Sequence, residues 1–385
     1  MHRPGEVHKL RLVRGRLPGR CDCVVQGGEG VSEKVLMKGA EALAEGAIRA
    51  GCRFYFGYPI TPQNETPEYM SRRLPEVGGR FVQAESEVAS INMVYGAACA
   101  GVRVMTSSSS PGISLMQEGI SYISGSGVPC VVMNAMRGGP GLGNVAPAQA
   151  DYLQAVKGGG NGDYKRIVLA PASIQEGVDL FVDAFDLADK YRMVVMVIVD
   201  GLIGQMMEPV EFKTTVDVSA QKKPDWATTG RHGRDHANII SSLMMDTATL
   251  EKWNLELQAK YAQVMETESR IEEYEMADAE YAIIAYGTMA RIAKTTVRTA
   301  RARGIKLGLL RPITVWPFPA KQLQKYVGQI KGALTVELAY RQLFEDVELA
   351  LCGKVPLGWY GRGGGVVPGP QEILAAFEEQ FGKGR

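Results

Sequence analysis

The residues best able to do chemistry fall in four short stretches of this 385-residue chain. Glu87 follows the β-like run Phe81-Val82-Gln83-Ala84 and opens a stretch of small apolar residues that ends at Gly101. Ile91, Val94 and Ala98 share helical offsets with it, so the spacing predicts a helix buried on most sides. An ionised carboxylate is seldom buried without a partner. Two readings of Glu87 stay open. It is an acid satisfied by the free N–H groups and dipole of its own helix N-terminus, or a catalytic carboxylate whose partner is a ligand nitrogen. Glu85 fits either role by spacing. Arg137 ends an apolar run and enters Gly138-Gly139-Pro140, where it is either a surface arginine or a planar clamp for a carboxylate. Thr61, between Pro59-Ile60 and Pro62, reads alone as turn chemistry. Four serines, 107–110, lead into Pro111-Gly112.

Other chemistries lack their residues. Only four histidines are present, two of them His2 and His8, and no serine has a histidine at a diagnostic spacing. Gly139-Pro-Gly-Leu-Gly143 is not a dinucleotide fingerprint: its spacing differs and it carries a proline. No Walker motif, zinc signature or G-x-S-x-G elbow occurs. The six cysteines include Cys21-x-Cys23, too sparse for a metal site, and none has the spacing of an iron–sulfur ligand set. Cys52, Cys99, Cys130 and Cys352 lie in apolar runs and read as free buried thiols, in keeping with a reducing cytoplasm. A formal net charge of +1 argues against nucleic acid or a membrane surface as partner. No apolar run approaches the roughly 20 residues of a membrane span.

The elements that must hold these residues alternate strictly. Residues 1–31, rich in Arg, Gly and Pro, read as a disordered tail or a mis-assigned start. Strands are predicted at 53–58, 81–84, 102–106, 128–135, 166–170 and 193–200. Helices follow at 41–50, 65–74, 87–101, 113–123, 148–155 and 173–190. Such alternation predicts an α/β fold with a doubly wound parallel sheet, whose site is built by loops at the carboxyl ends of the strands. Those loops are 58–62, 84–87, 107–112 and 137–143. A first domain is expected over 35–210 and a polar connector over 211–278. The connector contains a long charged helix at 249–275 with Leu250, Trp253, Leu257, Tyr261 and Val264 on one side. A smaller α/β domain of four strands follows over 279–385.

Taken together, Gly57-Tyr-Pro-Ile-Thr-Pro-Gln-Asn-Glu65, Glu85-Ser-Glu-Val-Ala-Ser-Ile-Asn-Met93, Ser110-Pro-Gly-Ile-Ser-Leu-Met-Gln-Glu118 and Arg137-Gly-Gly-Pro140 resemble the α subunit of 2-oxoacid:ferredoxin oxidoreductases. Leu310-Arg-Pro-Ile-Thr-Val-Trp-Pro-Phe-Pro319 and Gly361-Arg-Gly-Gly-Gly-Val-Val-Pro368 resemble that subunit's second, transketolase C-terminal-like domain. The first motif looks most like the branched-chain, 2-oxoisovalerate branch; the 2-oxoglutarate branch is the alternative.

The resemblance implies thiamine diphosphate chemistry divided between subunits, this chain giving the pyrimidine-side domain and a β subunit the Mg2+ and diphosphate site. It assigns Glu87 to N1′ of the aminopyrimidine, favouring the imino form that deprotonates the thiazolium carbon. It assigns Thr61 and Arg137 to the substrate carboxylate, and Pro59, Ile60, Ser109 and Ser110 to the cofactor. The reaction implied is oxidative decarboxylation of a 2-oxo acid to acyl-coenzyme A. Electrons leave through iron–sulfur clusters on other subunits to ferredoxin, and the partners implied are β-, γ- and δ-type subunits. Two departures stand out. Ala40 replaces an expected Asn, removing a polar group near the cofactor. Ala339-Tyr-Arg-Gln-Leu343 replaces an expected Asn-Met-Gly-Gln-Met at an inter-subunit surface. A non-catalytic assembly subunit and a transketolase-like carboligase are the competing classes. Turnover abolished by Glu87→Gln in an assembled complex excludes the first, and a requirement for ferredoxin or a viologen excludes the second.

Overall fold

The computed structural model describes residues 12–14, 23–25, 34–220 and 222–382. The tail expected over 1–31 lies outside the described residues, apart from two short strands, β1 (Leu12–Arg14) and β2 (Cys23–Val25). These pair antiparallel, and β2 continues onto β3 (Lys34–Lys38). The far edge of β3 takes β10 (Met207–Val210), completing a small four-stranded sheet.

The first large sheet carries the site. β4 (Phe54–Gly57), β5 (Arg80–Gln83), β6 (Val104–Ser108), β7 (Cys130–Met136), β8 (Ile167–Leu169) and β9 (Val194–Asp200) run parallel in the order β5-β4-β6-β7-β9-β8. Every residue of β7 and β9 is buried, the mark of central strands covered on both faces. α1 (Gly39–Arg49), α2 (Glu65–Glu76), α3 (Glu87–Cys99), α4 (Ser110–Gly125), α5 (Tyr152–Lys157), α6 (Ile174–Tyr191) and α7 (Gly201–Gln205) connect the strands. Two of these helices start on a serine whose hydroxyl accepts an N–H three residues on: Ser86 from Ala89 and Ser173 from Glu176.

α8 (Thr247–Thr267) buries Leu257, Tyr261 and Val264 against the first domain, and its Trp253 indole donates to the Gly125 carbonyl at 2.7 Å. Leu250, expected on the same buried side, is exposed at the rim of a cleft it shares with Lys157 and Gly162–Lys165. The second large sheet has the order β11-β13-β12-β15-β16, from β11 (Ile271–Tyr274), β12 (Tyr281–Ile284), β13 (Leu307–Pro312), β15 (Gly332–Glu337) and β16 (Leu357–Gly361). α9 (Gly287–Ala302), α10 (Ala320–Gln324), α11 (Gln342–Leu351) and α12 (Pro370–Phe381) accompany it.

Six strands lie where periodicity did not put them: β1, β2, β3 and β10 build the small sheet, and two more join the large ones. β11 comes from the stretch read as the end of the charged helix, and it pairs antiparallel with β13, giving the second sheet five strands. β14 (Thr314–Trp316) belongs by sequence to the second domain but pairs antiparallel with β8 on the first sheet. Both are three- or four-residue edge strands, too short for an alternation to register. No helix among the described residues is long and apolar enough to cross a membrane.

Candidate active site

The strand order changes direction between β4 and β6, so the crevice of the sheet opens between the loops that follow them. All four sequence-predicted loops converge there. Glu87 is the first residue of α3 and is buried, whereas Glu85 is exposed, which separates the two rivals. The Glu87 carboxylate lies over Gly112. A Cβ added to Gly112 would stand 2.6 Å from Glu87 Oε1 and 2.1 Å from Ser108 Oγ. Only hydrogen fits at residue 112, and that absence of side chain is what lets the carboxylate stay low in the crevice. Among the described residues, no hydrogen-bond donor pairs with the Glu87 carboxylate, and the helix N-terminus is capped by Ser86 instead.

Arg137 directly follows β7, is buried, and reaches across to the first loop. Its Nη1 donates to the Thr61 carbonyl at 2.8 Å and its Nη2 to the Leu142 carbonyl at 3.2 Å, while Nε is buried with no partner. The guanidinium is thus fixed in direction with a donor to spare. Thr61 itself is exposed, its hydroxyl accepting from Asn64 Nδ2 at 3.2 Å. Pro59 is exposed and Ile60 half-buried beside it.

The serines divide by role. Ser110 opens α4, three residues before the predicted start. Its hydroxyl donates to Asp151 Oδ2 at 2.6 Å and accepts from Arg137 N at 3.0 Å, and its N–H donates to Asn134 Oδ1 at 3.1 Å. Its one hydroxyl proton is therefore engaged by Asp151, while its oxygen and its N–H join the ends of β6 and β7. Asp151, which receives that proton, is pushed above the usual carboxylate range by burial, against the opposing pull of Ser110, Asn134 and Arg137. Ser108 and Ser109 are buried and their hydroxyls have no partner. Ser107 donates to Gln63 Oε1 at 2.5 Å, leaving Gln63 Nε2 buried and unpaired.

Sequence reasoning missed Gln63, Gly112, Asn134 and Asp151. Gly112 carried a signal, a glycine directly after the proline that starts a helix. Asp151 and Asn134 carried none, since their roles depend on a strand and a loop meeting in space.

Several unpaired buried polar atoms and one partnerless carboxylate around a crevice are costly unless a ligand satisfies them. The set suits a planar heterocycle with a ring nitrogen and an exocyclic amine: a carboxylate for the nitrogen and serine hydroxyls for the amine. It thus fits an aminopyrimidine.

Two expectations are corrected here, and the two departures are placed. α3 is not buried on most sides: Ile91, Val94 and Ala98 pack inward, but Val88 and Met93 are 41% and 37% exposed. Of the four thiols read as buried, Cys52 and Cys130 are, whereas Cys99 is half-buried and Cys352, just past the end of α11, is exposed. In the departing stretch 339–343, Tyr340 is exposed, but Gln342 turns inward onto the first domain, donating to the Ala150 carbonyl at 2.7 Å. Ala40, the other departure, is buried in the first turn of α1.

Known proteins resemble the chain along most of its length. Residues 45–276 match the family model described as "Pyruvate flavodoxin/ferredoxin oxidoreductase, thiamine diP-bdg", and residues 279–373 match "Pyruvate:ferredoxin oxidoreductase core domain II". The chain is 49% identical to ketoisovalerate oxidoreductase subunit VorB of Methanothermobacter marburgensis, over 90% of this chain and 98% of that one. It is 35% identical to 2-oxoglutarate synthase subunit KorA of Methanocaldococcus jannaschii, over 88% and 98% respectively. Among solved structures it resembles 2-oxoglutarate:ferredoxin oxidoreductase from Magnetococcus marinus, with TM-score 0.78 and 26% identity, covering 90% of this chain and 65% of that longer chain.

Proposed function

The chain belongs to the pyruvate flavodoxin/ferredoxin oxidoreductase family, and from that premise we propose that it is one subunit of an enzyme that oxidatively decarboxylates 2-oxoisovalerate. In the balanced reaction, one 2-oxo acid, one coenzyme A and two oxidised ferredoxins give acyl-coenzyme A, CO2, a proton and two reduced ferredoxins. The branched-chain substrate is supported by the 49% identity to a ketoisovalerate oxidoreductase subunit. The more distant 2-oxoglutarate synthase subunit, at 35% identity, makes 2-oxoglutarate the second reading.

Thiamine diphosphate, when bound, supplies the nucleophilic carbon that attacks the 2-oxo group and the electron sink for loss of CO2. Glu87 holds the proton at the pyrimidine ring nitrogen, and its dry position over Gly112 strengthens that hydrogen bond. Ser109 and Ser108 offer hydroxyls to the same ring, while Pro59 and Ile60 line its entrance. Ser110 acts one step back, tying Asp151 to the Arg137 backbone. Arg137 orients the substrate carboxylate with its remaining donors, and Thr61 flanks it. The buried, partnerless Glu87 carboxylate is the observation that carries this reading.

A partner subunit covers the site. Val82, Val88, Met93 and Leu115 are exposed around α3 and α4, next to the crevice, and such a surface suits a protein partner. In this reading a β-type subunit brings Mg2+ and the diphosphate pocket, γ- and δ-type subunits complete the complex, and the iron–sulfur clusters lie outside this chain. The assembly works in a reducing cytoplasm.

The test is 2-oxo acid- and coenzyme A-dependent viologen reduction by the anaerobically co-purified complex. Preference for 2-oxoisovalerate over 2-oxoglutarate and pyruvate is expected. Glu87→Gln should lower kcat by roughly 10²–10⁴-fold with assembly and cofactor content retained. Full activity in that variant would end the proposal, whereas preference for 2-oxoglutarate would overturn only the substrate.

A further inference from the structure

The second sheet has a crevice of its own. Its parallel strands run in the order β13-β12-β15-β16, so the winding reverses between β12 and β15. In open α/β sheets a ligand binds outside the carboxyl ends at that point, where helix N-termini converge. Here the crevice is filled by the first domain. Gln149 is 1% exposed and lies across it. Its Nε2 donates to the Tyr286 carbonyl, just beyond β12, at 2.9 Å. Its Oε1 accepts from Leu338 N, just beyond β15, at 2.9 Å, and its own N–H returns to the Leu338 carbonyl at 2.9 Å. The Tyr286 hydroxyl donates to the Gln149 carbonyl at 3.3 Å.

The helix ends at this crevice are occupied from within as well. Glu337 accepts the N–H groups of Gln342 and Leu343 at the start of α11, at 3.0 and 2.9 Å. Asp200 of the first domain, raised by burial, lies beside Thr288 at the start of α9.

Gln149 lies in a strap, residues 144–157, that continues directly from the Arg137 loop. The loop is closed on itself by the Arg137–Pro147 bridge and by Gly138 N donating to the Ala146 carbonyl at 3.0 Å. Asn144 ties it outward, Nδ2 donating to the Gly364 carbonyl of the second domain at 2.9 Å. Beyond Gln149, Asp151 receives Ser110 and Asn134, Leu153 N donates to Gln342 Oε1 at 3.0 Å, and the Tyr152 hydroxyl donates to Asp346 at 2.7 Å.

We propose that the ligand crevice of the second domain has become a grip on this strap, and that Gln149 is a positioning residue which sets the Arg137 guanidinium through it. The amide has one workable orientation, with a carbonyl on one side and an N–H on the other. Losing it frees the strap while leaving Arg137, Thr61 and Glu87 chemically intact. The proposal rests on the reading of Arg137 as the carboxylate clamp.

The experiment compares Gln149→Met, Asn144→Ala and Arg137→Gln in the co-purified, cofactor-loaded complex. Each strap variant should raise KM for the 2-oxo acid roughly tenfold or more, with kcat and the KM for coenzyme A changed less than threefold. A merely structural loss would lower kcat with the fraction of assembled complex and leave both KM values alone; that result overturns the proposal. If Gln149→Met does not assemble, Asn144→Ala, on the surface, decides: an unchanged 2-oxo acid KM overturns it. Arg137→Gln separates the two readings. If it raises KM while the strap variants do not, only the positioning role fails; if it leaves KM unmoved, the clamp itself fails.

Discussion

Glu87 and Gly112 form one device. The carboxylate can stay buried because Gly112 has no side chain in the space that Glu87 and Ser108 Oγ occupy. Gly112→Ala would put a methyl group 2.1 Å from Ser108 Oγ and 2.6 Å from Glu87 Oε1, on the backbone of a well-packed helix that cannot retreat. The serine hydroxyl and the carboxylate must move instead. Overpacking of this kind costs about 1–3 kcal/mol, so the chain should still fold, with a melting point a few degrees lower. Viologen reduction should fall at least tenfold, and thiamine diphosphate should no longer raise the melting temperature of the complex. An unchanged cofactor shift would mean that the ring does not lie over residue 112.

At the scale of elements, α11 depends on a buried acid. Glu337 ends β15, accepts N–H groups at the start of α11, and takes the Trp359 indole N–H at 3.0 Å. Burial raises its pKa above the ordinary value, and the N–H groups of Leu343, Trp359, Phe344 and Gln342 oppose that rise without cancelling it. A carboxyl raised in the folded state favours folding fully only below its unfolded pKa, and loses that contribution as pH climbs through the folded value. Gln at 337 mimics the protonated form at every pH. Thermal unfolding of the chain and of Glu337→Gln should therefore run close together in acid and diverge in favour of the variant as pH rises through the raised folded-state value. A constant offset between the two curves would refute the linkage.

The whole molecule is two α/β domains that share parts. β14, from the second domain's sequence, is an edge strand of the first sheet. Arg311, buried on β13, donates from Nη2 and Nη1 to Glu176 of α6 at 2.7 and 3.1 Å and pairs with Glu272 of β11. Gln149 closes the second crevice from the first domain. With a strand and a buried ion pair exchanged, neither domain can unfold without exposing unpaired groups of the other. Calorimetry of the chain should show one cooperative transition. Replacing Arg311 by Met should lower its midpoint, since Glu176 loses its cation while Glu272 keeps Lys294, a loss of about 1–3 kcal/mol. Two resolved transitions in the unaltered chain would argue against this coupling.

The sequence by itself determined most of the layout. Strict β–α alternation specified the parallel sheet, because continuous apolar runs such as those of β7 and β9 are stable only when covered on both faces. Glycine and proline punctuation located the four loops at the strand ends, and short motifs there pointed to Glu87, Arg137 and Thr61. What tertiary structure alone decided concerns partners distant in the chain. Burial chose Glu87 over Glu85, since two acids two residues apart differ only in which faces the sheet. Asp151 became a ligand of Ser110, Gln149 a plug for the second crevice, and β14 a strand of the first sheet, each through contacts spanning tens to hundreds of residues. Local periodicity records which face of an element is apolar; it carries no information about which other element that face will meet, or which polar group will be left for a ligand.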